Sequence, residues 1–337
     1  MGQGEESKAD PEAPVEIQER GEIFFFYRPK VGKEEAHGVE EVQRLYIVLR
    51  PESGERPVEE KQHHASGKEG AKKKKATKKK DGETSESSDS AASEGGHGSE
   101  KVNIEHQPLL RFIVMGRKSL PPPTQRGRPF WGYVEMVTTK IEDVKAALQG
   151  EEYDTSTRGR RHKPPARALG EGVYRILRHN PGRRMHTHLI YKLEFPREGE
   201  SGDPQETFNI EREASFLIQI KNPEQPGSSQ FRGLQSKRKA TFPAHLQGQF
   251  GQRRFHPADP PDFLNYEGCE FLLIAASDDI EGELGVELRA EEGEPEPACS
   301  DLVKTFGETA SIAPLLKGTW LEEMVVELPL FVNVHIY

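Results

Sequence analysis

Apolar positions along this chain come in short dense runs separated by long polar stretches. "EIFFFYRPKV" (22–31) and "VQRLYIVLR" (42–50) are aromatic and β-branched, which predicts two strands. "LLRFIVMG" (109–116) and "FWGYVEMV" (130–137) predict two more. Ile141, Val144 and Leu148 then recur at helical spacing, so a helix is expected near 141–149. Thr139 and Glu142, three residues apart, have the spacing of a capping box at its start.

The second half of the chain repeats this order. "GEGVYRILRH" (170–179), "HLIYKLEFP" (188–196), "NIEREASFLIQI" (209–220) and "CEFLLIAAS" (269–277) answer the four runs of the first half, and "SDLVKTFGE" (300–308) answers the helix. Leu284, Val286 and Leu288 alternate and add a strand before that second helix. The expected fold class is therefore α+β and β-rich. It would comprise two tandem copies of a mainly antiparallel strand–strand–strand–strand–helix unit, in domains at 21–165 and 166–337. "TWLEEMVVELPLFVNVHIY" (319–337) reads as a closing pair of strands bent at Pro329.

Three polar stretches interrupt the pattern. Residues 1–20 are rich in Glu and Pro and are expected to be disordered. Residues 52–102 pair a Lys run with a Ser/acid run and are expected to be a disordered insertion in the first domain. Residues 222–265, rich in Pro, Gly and Gln, predict a long loop, and their phenylalanines predict that it packs along the domain surface.

Charge and composition narrow the function. The net charge is −9, so any attraction to nucleic acid must come from local basic patches. The two cysteines, Cys269 and Cys299, form no CxxC motif, which suits a reducing compartment. No apolar run is long enough to span a bilayer, and residues 1–21 lack the apolar core of a secretory signal. The expected location is the nucleus or cytoplasm, with no membrane partner. "KKKKATKKK", comprising Lys72, Lys73, Lys74, Lys75, Lys78, Lys79 and Lys80, has the character of a nuclear localisation run.

Candidate chemistry concentrates in "RILRHNPGRRMHTHLIYKLEF" (175–195). Arg175, Arg178, Arg183 and Arg184 could grip phosphate or carboxylate groups, and His179, His186 and His188 lie on or beside the same hairpin. Lys237, Arg238 and Lys239 form a second basic group. His-x-His on a strand places two imidazoles on one face. No Cys, Asp or Glu at ligand-like spacing completes a set, so no metal and no cofactor are assigned.

"RPFWGYVEMVTTKIEDVKAALQG" (128–150) resembles the second signature strand and helix of the RNA-recognition motif, with Trp131, Gly132, Tyr133 and Val134 in its aromatic core. Only residues 117–129 separate this strand from the preceding one, which leaves no room for the helix and strand that motif requires. The phrase is read as convergence.

No nucleophile elbow, zinc-protease, Walker or dinucleotide motif occurs, and no catalytic residue is assigned. The leading expectation is a non-enzymatic interaction or regulatory module that contacts a protein or other anionic partner through the basic hairpin. RNA binding is one alternative. A ligand pocket between the copies, lined by His186, His188 or Asp262, is another. "RRMHTHLIYKLEFP", "NIEREASFLIQIKNPEQ" and "FPAHLQGQFG" resemble a conserved family of uncharacterised plant proteins. The resemblance implies a plant source and a shared fold, and it assigns no activity.

Overall fold

The computed structural model describes residues 6–8, 15–33, 36–53, 56–63, 98–125, 127–157, 159–180, 185–196, 202–225, 233–289 and 300–306. The first half carries β1 (Glu6–Lys8), β2 (Val15–Pro29), β3 (Val42–Glu52), β4 (Val58–Gln62), β5 (Ser99–Asn103), β6 (Leu110–Met115), β7 (Phe130–Thr138) and helix α1 (Ile141–Leu148). A small hairpin, β8 (Glu151–Thr155) and β9 (Gly159–Lys163), leads to β10 (Arg167–His179), β11 (His186–Phe195), α2 (Asp203–Thr207) and β12 (Glu213–Lys221). Then come α3 (Ala244–Phe250), β13 (Phe255–Pro257), β14 (Glu270–Ser277), α4 (Ile280–Leu284), β15 (Val286–Leu288) and α5 (Ser300–Phe306).

Eight of these strands close into one antiparallel barrel in the order β11–β10–β2–β3–β6–β7–β14–β12, with β12 pairing back onto β11. This overturns the expected α+β pair of tandem strand–strand–strand–strand–helix domains. Each half supplies four barrel strands, but neither half closes alone. Two seams join them, β2 to β10 and β7 to β14, and interior residues of both halves form one buried cluster. Closure satisfies backbone groups that two separate four-stranded sheets would leave on open edges.

The interior is filled by the chain itself. Ile23, Phe25 and Tyr27 of β2, Leu45 and Ile47 of β3, Tyr191 of β11 and Phe216 and Ile218 of β12 all belong to one buried cluster. An eight-stranded barrel is just wide enough for side chains to fill. The opposite face of β2 is also covered. Phe24 and Phe26 meet the Phe306 ring of α5 edge-on at 5.1 and 5.5 Å. A strand buried on both sides explains why "IFFFY" is apolar without alternation. A second covered patch lies where Leu177 and Ile190 pack against α4 and β15. Arg28, at the end of β2, ties α1 to the barrel. Its guanidinium donates to the carbonyls of Ala147 (2.6 Å), Leu148, Gln149 and Pro164, and its Nε to the Tyr46 hydroxyl. The last carbonyls of a helix lack internal partners and attract a cation.

Several local expectations need adjustment. Residues 15–20, expected to be part of a disordered tail, begin β2. Within 52–102, β4 and β5 pair as a separate two-stranded sheet. The α1 start is held by Thr138, which donates to Asp143 and accepts from the Lys140 N–H, and not by Thr139 with Glu142. The 222–265 stretch contains α3, β13 and a 3-10 turn at Pro261–Asn265. The expected closing strands at 319–337 lie outside the described residues. Among the described residues, no helix is long and apolar enough to cross a membrane.

The two barrel ends are closed differently. At one, Phe208 after α2 stacks on Tyr27 with ring centroids 5.6 Å apart, and Leu120, Ile210 and Ala36 are buried in the same core. At the other, the β4–β5 hairpin and the 261–265 turn meet a set of charged side chains.

Candidate functional site

The charged set centres on Arg111. It follows Leu110 on β6 and precedes Ile113 and Met115 on the interior face, so it points into the barrel. Its side chain is fully buried. A bare guanidinium there would be costly, and the surrounding residues supply partners. Glu19 of β2 receives both Nη groups at 2.5 and 2.8 Å, a bidentate arrangement. Tyr174 of β10 donates its hydroxyl to Glu19 at 2.7 Å, and Arg111 Nε donates to Asn265 Oδ1 at 2.7 Å.

The network then crosses to the hairpin. Asn265 Nδ2 donates to Glu59 Oε2 at 3.0 Å and to the Glu60 carbonyl at 2.9 Å. Glu59, on β4, lies 3.7 Å from Arg111 and 3.8 Å from Arg56. Arg56 also pairs with Asp262, which accepts the Glu60 N–H at 3.1 Å. Three carboxylates (Glu19, Glu59, Asp262) therefore face two guanidinium groups, the fully buried Arg111 and the partly exposed Arg56. Burial first, and then the facing Glu19 carboxylate, push Glu59 up to about 7, against the pull of Arg111 and Arg56. Chemically, the arrangement can hold or release one proton near neutrality. Sequence reasoning missed it, apart from naming Asp262. The available signal was a single Arg inside "LLRFIVMG", at a position whose neighbours two and four residues on are apolar.

The basic hairpin is less available than its sequence suggests. Arg175 is buried and donates to the Tyr174 carbonyl at 2.8 Å. Arg178 is bound by both oxygens of Asp259 and by Glu16 at 2.8–2.9 Å. Arg183 and Arg184 lie outside the described residues. The three histidines do converge. His179 and His186 are cross-strand partners, and the His179 and His188 rings stand 5.4 Å apart. They lie on the outer wall, since Leu189 and Tyr191 of β11 take the interior. His188 is buried and its Nδ1 is 3.0 Å from the Ser215 hydroxyl. Burial, reinforced by His179 and His186, lowers it to about 3, and the Glu283 carboxylate stands 4.0 Å from its Nδ1. Among the described residues, no group of three or more His, Cys, Asp or Glu could hold a metal ion.

The second basic group is also divided. Arg238 pairs with Glu135 at 2.7 Å and lies over the Tyr133 ring, Lys239 donates to the Pro223 carbonyl, and Lys237 is exposed. Trp131 and Tyr133 do not form an open stacking face. Trp131 donates to Glu270 at 3.1 Å, and Tyr133 is buried. The same Glu270 holds Lys221 and accepts the Leu234 N–H, pinning the long loop to the wall. Gly233 makes this possible. Its φ is +62°, and a Cβ there would fall 2.0 Å from the Glu270 carboxylate. Asp262 and the histidines belong to different networks: Asp262 pairs with Arg56, while His188 lies beside Ser215. The Lys72–Lys80 run lies outside the described residues.

Comparison with known proteins finds no matching family model, no similar curated protein and no similar solved structure.

Proposed function

We propose that this chain is a non-enzymatic interaction module that meets an anionic macromolecule through its loops. The observation that carries this reading is the filled barrel. Phe25, Tyr27, Tyr191, Phe216 and Phe271 occupy the space where a wider or emptier barrel would hold a ligand. The polar end of the interior is taken up by its own ion pairs. Recognition then falls to the exterior. Arg117, Arg128 and Lys237 are exposed cations on loops that suit contact with phosphates or carboxylates.

The reading is tested by filter binding of purified protein to RNA and to duplex DNA across a salt series. Affinity that falls linearly on a log–log plot against salt is the expected result. No salt-dependent binding at physiological ionic strength overturns it. We further propose that the Lys72–Lys80 run directs the protein to the nucleus. Replacing its seven lysines with alanine in a fluorescent fusion should move signal to the cytoplasm. An unchanged distribution overturns that assignment.

A further inference from the structure

The β4–β5 hairpin differs from every other element that closes the barrel. It forms its own two-stranded sheet, separate from the barrel sheet. Its buried side chains are Glu59 and Lys61 of β4 and Val102 of β5, the cross-strand partner of Glu59, while Val58 on the other face is 44% exposed. On β4 the usual strand polarity is reversed, with charge inward and an apolar group outward. Beside Val102, what fastens it is polar. Asn265 bridges to Glu59 and the Glu60 carbonyl, Asp262 takes the Glu60 N–H, Tyr266 donates to Glu60 at 3.2 Å, and the Glu267 N–H donates to Gln62.

We propose that this hairpin is a proton-controlled seal over the Arg111 end of the barrel, with Glu59 as the group that carries the proton. The groups facing Glu59 come from every element around it. They are Glu19 of β2, Arg111 of β6, Tyr174 of β10, Asp262 and Asn265 of the 3-10 turn, and Arg56 just before β4. Lys61, next on the same face, is neutralised by Glu100. The local count is three carboxylates to two guanidinium groups, so an ionised Glu59 leaves one uncompensated negative charge. A protonated Glu59 leaves none.

The direction follows from linkage. Glu59 has an ordinary value of 4.5 when the hairpin is open and about 7 when it is closed. The closed form binds more protons between those values, so closure is firmest at the acid side and weakens as pH rises to about 7. Above that the effect is complete.

Hydrogen exchange of the full chain, corrected for intrinsic rates, tests the seal on peptides covering 58–63 and 98–103. The opening constant of these peptides is expected to rise by up to about tenfold per pH unit between about pH 5 and 7, then level off. Peptides from β10 and β11 should not follow. Glu59→Gln keeps an oxygen for Asn265 and should flatten the dependence. Arg56→Gln removes a counter-charge and should move the midpoint to higher pH. A flat profile in the unmodified protein, or an unchanged slope in Glu59→Gln, overturns the proposal. So does an Arg56→Gln midpoint that stays in place or falls.

Discussion

The two ends of this barrel are closed by opposite chemistries. At one, Phe208 stacks on Tyr27 and packs with Leu120 and Ile210, and its closure is hydrophobic. At the other, Glu19, Arg111, Glu59, Arg56 and Asp262 close the space with paired charges. An apolar plug gains from burial in any solvent condition that leaves water as the solvent. A charged plug pays desolvation and regains it only while each partner stays in place and in the right protonation state. The first end is therefore expected to be insensitive to pH and the second to respond to it.

Arg111→Ala should have the largest effect. It leaves Glu19 buried with no guanidinium and brings the Glu59 carboxylate into an uncompensated site. A loss of about 3–5 kcal/mol is expected from breaking a buried pair, measured by urea denaturation near neutral pH. That deficit should shrink as pH falls and Glu59 takes up a proton. A deficit that stays constant with pH would mean that Arg111 matters for its volume and not for its charge.

Phe208→Ala should also cost about 3–5 kcal/mol, through a cavity at the apolar end. Its deficit should be the same at acid and neutral pH. A pH-dependent deficit would show the two ends to be coupled, and the contrast drawn above would fail.

The outer wall supplies a third probe with the opposite slope. His188 is held near 3 by burial, against 6.5 when unfolded. The unfolded chain binds the extra proton in that window, so stability is present above about pH 6.5 and is lost as pH falls toward 3. Glu59 acts the other way between 4.5 and about 7. In the unmodified protein the two partly cancel where their windows overlap. His188→Gln, which can still bond Ser215, should leave the Glu59 slope exposed, so that the urea midpoint rises as pH falls from about 6.5 to 4.5. A midpoint that still falls with acid in this variant would assign the acid sensitivity to some other group.

Much of the local structure was legible in the sequence, and the closure was not. The runs at 22–31, 42–50, 109–116 and 130–137 and their counterparts in the second half all contain barrel strands, because pleated, half-buried positions select aromatic and β-branched residues. Those same runs carry no information about which distant strand they pair with. The β2–β10 and β7–β14 pairings that turn two four-strand series into one barrel are set by long-range packing, not by local pattern. The candidate site failed for a related reason. Four arginines and three histidines in 175–195 read as a reactive cluster, yet Arg175 is buried under the fold and Arg178 is spoken for by Asp259. The partners that neutralise Arg178 lie at positions 16 and 259, far from it in sequence. Conversely, Arg111 and Glu19 each look unremarkable in their own segments and acquire meaning only when the barrel brings β2 beside the interior of β6.

The smallest expected effect is at Val58, and it tests which way β4 faces. Side chains alternate along a strand, so a one-residue slip would turn Glu59 and Lys61 outward and Val58 inward. With Val58 44% exposed, Val58→Asp should change stability by no more than about 0.5 kcal/mol. The new carboxylate would be solvated and cross-strand from Asn103, which carries no charge. Thermal and urea unfolding of this variant beside the unmodified protein make the measurement. A loss well above 1 kcal/mol would mean that the outer face of the hairpin is covered as well. A near-silent change would leave the inner face, with buried Val102 and the polar contacts to Asn265, Asp262 and Arg56, as what holds this end shut, and a proton at Glu59 as what adjusts it.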